Sequence, residues 1–291
     1  MGRLIRTISE DGSVIALAVD SADIVGRAAQ IHSTVPVTTA ALGRLLSAAS
    51  LMGSMLKGKN DSLTLRVSGD GPAGTVLAVA DSKGNCKGTI TNPVIDIPPK
   101  TKGKLDVGKA IGNGTLSVMK DLGLKEPYVA QVPLISGEIA EDITGYYASS
   151  EQTPTVCALG VLVNGDMTVA AAGGFLIQLL PGADESVISA VESGLEGLRP
   201  VTEMLSSGMT LEEIIAAALP GFKMETLDES NPVYECDCSR SRVERALISI
   251  GREELDEMAK EEKTEVTCRF CDKIYSFSGS EIAALGRKAG G

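Results

Sequence analysis

From Arg3 to about Gln178 short apolar runs alternate with turn residues. The runs LIRTIS, SVIALAVD, SLTLRVSG, GTVLAVAD, GTLSVM, VAQVPLI and the pair VCALGVLV and MTVAAAGG are β-rich and bounded by Gly, Asn, Asp and Ser, which predicts strands. Asn113-Gly114 and Asn164-Gly165 fall among the separating turns and predict tight hairpins, because both residue types accept positive φ. Between the second and third runs lies VTTAALGRLLSAASLMGSMLKG. Its Ala41, Leu45, Ala48, Met52 and Met55 keep helical spacing, which predicts a long buried helix. GEIAEDITGYYASS predicts another. Residues 1–178 therefore read as an α+β core domain, with helices laid on a largely antiparallel sheet.

After Pro181-Gly182 the pattern turns helical. Val187, Val191, Leu195 and Leu198 line one face, which Gly194 and Gly197 interrupt; an interior Gly costs about 1 kcal/mol relative to Ala. Thr210 and Glu213 form a candidate capping box before IIAAAL, and Pro220-Gly221 ends that helix. Helices this short and Gly-weakened need something to dock on. Residues 179–231 read as a helical linker. Residues 232–291 read as a third, small unit: a helix over SRSRVERALISIG ended by Gly251, a charged helix over REELDEMAKEE, and a hairpin over TEVTCRFCDKIYSF with a Cys pair at its turn.

Composition sharpens this picture. Hydrophobic residues make up 43% of 291, enough for a sizeable core, but aromatics are 3% with no Trp, so Ala, Val, Leu and Ile must build it. The N-terminus carries no apolar signal core, and no apolar run is long and uninterrupted enough to cross a bilayer. A cytoplasmic location is the expectation, where thiols stay reduced and static disulfides are disfavoured. A net charge of -11 repels phosphates and anionic lipids, so neither a nucleic-acid nor a membrane partner is expected.

Four of the six cysteines then stand out: Cys236 and Cys238 in YECDCS, Cys268 and Cys271 in TCRFCD. A C-x-C followed at a distance by a C-x-x-C has the pairing of a tetrathiolate zinc site. Zinc takes four soft ligands in a tetrahedron, and two pairs from separate segments supply them while tying those segments together. The C-x-C half is less usual than a second C-x-x-C, and spacing leaves open whether the site is purely architectural. A thioredoxin-like role for CRFC is disfavoured, because a catalytic C-x-x-C opens a helix and DKIYSF reads as a strand.

The other candidates are weaker. GDGPAG at residues 69–74 has the letters of a dinucleotide fingerprint, but a strand follows it, so it reads as a hairpin loop. His32, the one histidine, reads as a surface or capping residue at a helix end. Cys86 reads as a bystander thiol and Cys157 as a small buried hydrophobe. Glu138, Glu141 and Asp142 read as complements to a helix N-terminus rather than metal ligands. No acid, base and nucleophile set suggests an enzyme. A zinc-ribbon module docking a fixed partner or nucleic acid is the alternative, since Arg240, Arg242 and Arg245 crowd the first pair. Against it, residues 232–291 hold 10 Lys/Arg and 12 Asp/Glu.

The ordered C-x-C and C-x-x-C, the internal SGEIAEDITGYYASSEQTPT and the GDGP loop together resemble the bacterial 33 kDa heat shock chaperonin family, over nearly the whole chain. That resemblance implies a redox-regulated, ATP-independent holdase that binds unfolding client proteins. It implies an inactive monomer when reduced, with one zinc ion on Cys236, Cys238, Cys268 and Cys271. It also implies that oxidation forms Cys236–Cys238 and Cys268–Cys271, releases zinc and yields active homodimers. Loss of structural zinc should unfold so small a module. The linker face of Val187, Val191, Leu195 and Leu198 is then the expected client-binding surface, apolar as a promiscuous holdase requires.

Overall fold

The structure, a computed structural model, describes residues 2–101 and 103–289; Met1, Lys102, Gly290 and Gly291 lie outside it. The chain divides into two compact units, Met1–Glu235 and Cys236–Gly291. The first opens with strands β1 (Arg3–Ser9) and β2 (Val14–Asp20) and helices α1 (Ala22–His32) and α2 (Pro36–Gly53). Strands β3 (Ser62–Gly69), β4 (Thr75–Asp81) and β5 (Cys86–Ile90), the short α3 (Val107–Ile111), β6 (Gly114–Asp121) and β7 (Tyr128–Pro133) follow. Helix α4 (Ala140–Tyr146) runs into one π-helical turn (Tyr147–Glu151) before β8 (Thr155–Val163) and β9 (Val169–Leu179). Helices α5 (Glu185–Leu195), α6 (Val201–Ser206) and α7 (Leu211–Ala218) and strand β10 (Met224–Ser230) close the unit.

The strands form two five-stranded sheets, ordered β10-β1-β2-β9-β8 and β5-β4-β3-β6-β7. Helix α2 packs on strands of both sheets, and every residue of it except Pro36 and Arg44 is buried. A helix apolar on all sides belongs in a core. Its Ala40, Ala41, Ala48 and Ala49 admit close neighbours, while Leu42, Leu45, Leu46 and Leu51 fill the space between. Met55, the last residue of the predicted helical stripe, lies just past its end.

The central strands of the first sheet, β2 and β9, are buried on both faces. In β2 the side chains alternate: Leu17 and Val19 join the core around α2, whereas Val14, Ala16 and Ala18 belong to a second apolar layer with Ile5, Phe175 and Ile177. Helices α5 to α7 cover that second layer through Val191, Met204, Ile214 and Ile215. Val187, Leu195 and Leu198 pack partly buried against it, so the whole predicted linker face is docked. Thr210 and Glu213 make the capping box, with the Glu213 N–H donating to Thr210 Oγ1 (3.2 Å) and the Thr210 N–H to Glu213 Oε2 (2.8 Å).

Residues 179–231 thus contribute three helices and then an edge strand. Strand β10 is polar and is held to β1 by antiparallel pairing and by ion pairs. Arg3 grips Glu229 (2.8 Å) and, on α7, Glu212 (2.6 Å); Arg6 pairs with Asp228, and Lys223 with Glu10 (3.0 Å).

Two expectations about glycine and turns need correction. Helix α5 ends at Leu195, and Gly197 lies beyond it at φ +71, in a turn rather than inside a helix. Gly194 is buried where α5 crosses the end of α7: a Cβ there would lie 2.7 Å from Ala218 O and 2.6 Å from Pro220 Cδ. Neither glycine is a weak point in a continuous helix; one permits a close crossing and the other a turn. Gly194→Ala should therefore destabilise the docked layer by roughly 1–3 kcal/mol through overpacking, despite its better helix propensity. Faster amide hydrogen exchange in α5 and α7 would register this, and slower exchange would contradict it. Asn113-Gly114 forms no hairpin either, since β6 begins at Gly114 directly after α3. The β8–β9 hairpin closes through residues 164–168, with the positive φ at Met167. GDGPAG does join β3 to β4 as a hairpin loop.

The second unit comprises α8 (Arg240–Ser249), α9 (Arg252–Met258), strands β11 (Lys263–Thr267) and β12 (Ile274–Ser278), and α10 (Gly279–Ala289). Its buried core is small: Leu247, Leu255, Phe277, Ile282 and Leu285.

Candidate metal and redox centre

Cys236 and Cys238 lie on the segment that runs into α8. Ser239 caps that helix, its Oγ accepting from the Arg242 N–H (3.3 Å), and Arg242 pairs with Asp237 between the two cysteines. Arg240 donates to Ser276 O (2.9 Å) and Glu281 (2.7 Å) and stacks 4.2 Å over the Phe277 ring, tying α8 to β12 and α10. Cys268 and Cys271 sit in the β11–β12 turn, closed by the Cys268 N–H donating to Lys273 O (3.0 Å).

These two segments bring the four sulfurs together. No cysteine is bonded to another. Cys236 Sγ lies 3.7 Å from Cys268 Sγ, Cys238 Sγ lies 3.4 Å from Cys271 Sγ, and all four lie within 4.8 Å of one another. Zn–S bonds of about 2.3 Å in a tetrahedron place sulfurs about 3.8 Å apart, so these residues fit a tetrathiolate ion. All four are half-buried, held in place yet open to small oxidants.

The charge state of the sulfurs is uneven. Burial raises the Cys238 thiol, but hydrogen bonds from Tyr275 and from the other three cysteines outweigh it and bring Cys238 down to about 7. Burial pushes Cys236 up to about 12 and also raises Cys271. A bound dication would override these differences, because a coordinating thiol is deprotonated outright.

The remaining candidates fall outside this centre. Burial pushes the Cys86 thiol well up and the Cys157 thiol up to about 12, which leaves both inert. His32 is half-buried, its Nε2 donating to Gly88 O (2.9 Å), and burial lowers its pKa. Asp142 is buried and accepts backbone N–H bonds from Ile135 (2.7 Å), Ser136 (3.1 Å), Gly137 (3.3 Å) and Ile139 (2.9 Å), while Glu138 pairs with Arg44. Among the described residues, no second cluster of three or more such donors gathers as the four cysteines do.

The Hsp33 protein family matches residues 2–278 of the chain. The chain belongs to the Hsp33 family. It is 50% identical over 280 residues to the 33 kDa chaperonin of Lachnoclostridium phytofermentans, with 96% of each chain covered. It is 45% identical over 285 residues to that of Clostridium beijerinckii, with 97% of each covered. The crystal structure of the 33 kDa chaperonin from Thermotoga maritima matches with a TM-score of 0.90 at 34% identity, covering 98% of each chain. As an Hsp33 the protein is a redox-regulated holdase chaperone with a four-cysteine site near its C-terminus, and not an enzyme. No helix among its described residues is long and apolar enough to cross a membrane.

Sequence reasoning missed several residues of this Hsp33 centre. Arg240 and Arg242, which with Arg245 it weighed as contacts to a fixed partner or nucleic acid, are engaged within the unit. Helix α10 carries a legible signal that went unread: Ser278 and Glu281 form a reciprocal capping box (2.8 and 3.3 Å). Tyr275, which reaches Cys238, is marked only by its alternation with Phe277 along β12.

Proposed function

We propose that the cysteine cluster is the switch of this chaperone. In the reduced protein Cys236, Cys238, Cys268 and Cys271 hold one zinc ion, whose binding supplies the cohesion that the second unit's small core lacks. The observation that carries this reading is four unbonded, half-buried sulfurs at tetrahedral spacing from two separate segments. On oxidation Cys236 bonds to Cys238 and Cys268 to Cys271. For each disulfide, two thiolates give two electrons to one hydrogen peroxide, which takes up two protons and leaves as two waters. Sulfurs spent in disulfides no longer serve as thiolate ligands, so the ion is released and the second unit loses its fold.

The chain itself offers a route from switch to linker. Residues just before Cys236 are laced to β5: the Cys86 N–H donates to Val233 O (3.0 Å), the Glu235 N–H to Cys86 O (3.0 Å), and the Tyr234 hydroxyl to Gly88 O (3.0 Å). Distorting the backbone at Cys236 loosens this lacing first and β10 next. Helices α5 to α7 then leave the sheet. The client surface is Val187, Val191, Leu195 and Leu198 together with the sheet face they covered, including Ile5, Phe175 and Ile177. Clients are unfolding proteins, the active form is a homodimer, and the setting is cytoplasmic.

Reduced protein should carry one zinc per chain, and a Cys268→Ser, Cys271→Ser variant should not retain it at full affinity. Peroxide should release the metal and raise suppression of client aggregation in the same samples. Full-affinity zinc in the double variant would overturn the ligand set. The two pairs should also differ in rate. Cys268 and Cys271 close across a turn, whereas Cys236 and Cys238 must close across Asp237 alone, which needs a backbone distortion. Quenching a peroxide time course with an alkylating agent should show Cys268–Cys271 first. An early species bridged only at Cys236–Cys238 would refute the strain argument.

A further inference from the structure

We propose that Tyr275 is a positioning residue of the cysteine cluster, its hydroxyl holding the Cys238 sulfur in place as a metal ligand. Strand β12 alternates, with Tyr275 and Phe277 pointing to the side on which Phe277 is buried in the unit's core. The Tyr275 ring packs partly buried against that core, and its hydroxyl donates to Cys238 Sγ at 3.1 Å. Cys238 is contributed by the other segment, 37 residues away. The bond therefore spans the two halves of the cluster, fixed at one end by the hairpin and at the other by the approach to α8. Hydroxyl donation to a ligating sulfur draws charge from it and sets its direction, and loss of such outer partners typically costs about 10–100-fold in metal affinity. The Arg242–Asp237 pair constrains the backbone on either side of Cys238 but does not orient its sulfur, so Tyr275 supplies what that pair leaves free.

This inference rests on the proposed metal site, and Co(II), which reports thiolate ligation by its charge-transfer absorption, separates the two. The full-length reduced protein, its Tyr275→Phe variant and a Phe277→Leu control are each loaded with Co(II), and their Zn(II) affinities are measured by competition with a chromophoric chelator. Tyr275→Phe should shift the sulfur-to-cobalt band to longer wavelength, because the sulfur regains electron density, and should weaken Zn(II) binding about tenfold or more. Phe277→Leu keeps the hydroxyl and loosens the core, so it should lower the unit's melting temperature and leave the band where it is. An unshifted band and unchanged affinity in Tyr275→Phe overturn the role of Tyr275 while the metal site stands. Equal band shifts in both variants overturn it as well, by reducing it to general packing. Absence of a thiolate band in the parent overturns the metal reading and this inference together.

Discussion

Stripped of metal by a strong chelator under reducing conditions, the protein is expected to lose the fold of residues 236–289 and to keep that of residues 2–235. The two units have different means of support. The first buries α2 between two sheets and a second apolar layer beneath α5 to α7. The second has five buried hydrophobic side chains, Leu247, Leu255, Phe277, Ile282 and Leu285, and a set of exposed ion pairs each worth little in water. Structural zinc contributes on the order of 10–16 kcal/mol in comparably small peptides, far more than such a core supplies alone. Near-ultraviolet signals and protease sensitivity confined to the chain beyond Glu235 would measure the effect. A second unit that stays protected without metal would show that its packing suffices.

Ile214→Asp is expected to make the reduced, metal-loaded protein suppress aggregation without any oxidant. Ile214 is 1% exposed and faces the outer layer of the first sheet from α7. An unpaired carboxylate there costs several kcal/mol, and lifting α7 into water relieves that cost. The core around α2 lies on the opposite face of the sheet and should be spared. Undocked α5 to α7 and the bared sheet face would then do what the proposed switch does on oxidation. Light scattering of a heat-unfolding client gives the readout. Released helices with no gain in suppression would separate this surface from client binding.

Much of the architecture was legible because burial leaves a mark on composition. Strand β2 and helix α2 are buried almost throughout; the first reads as a nearly unbroken apolar run, the second as apolar residues at helical spacing with Arg44 its one charge. The cysteine cluster was legible because two close pairs of soft thiol donors are a pattern that survives without any structural context. Strand β10 was illegible for the opposite reason. METLDES is an exposed edge with no alternation, and it forms because β1 offers backbone partners and because Arg3 and Arg6 meet Glu229 and Asp228 more than 200 positions away. Strand β5 is five residues long with a glycine at its centre, too brief to register. Gly194 misled because helix propensity is a local quantity, whereas its role is set by Ala218 and Pro220 on another element. Tyr275 looked like an ordinary strand aromatic, since its tie to Cys238 exists only once the hairpin meets the segment before α8.

The central claim is that disulfide formation at the four cysteines uncovers the outer face of the first sheet. Hydrogen exchange on the full-length protein, reduced with zinc and then fully oxidised by peroxide, tests it most directly. Protection in α5 to α7 and β10 should collapse on oxidation, in step with suppression of client aggregation, while β3, β4 and β6 around α2 keep theirs. Suppression that rises with both disulfides formed and with α5 to α7 and β10 as protected as before would contradict it.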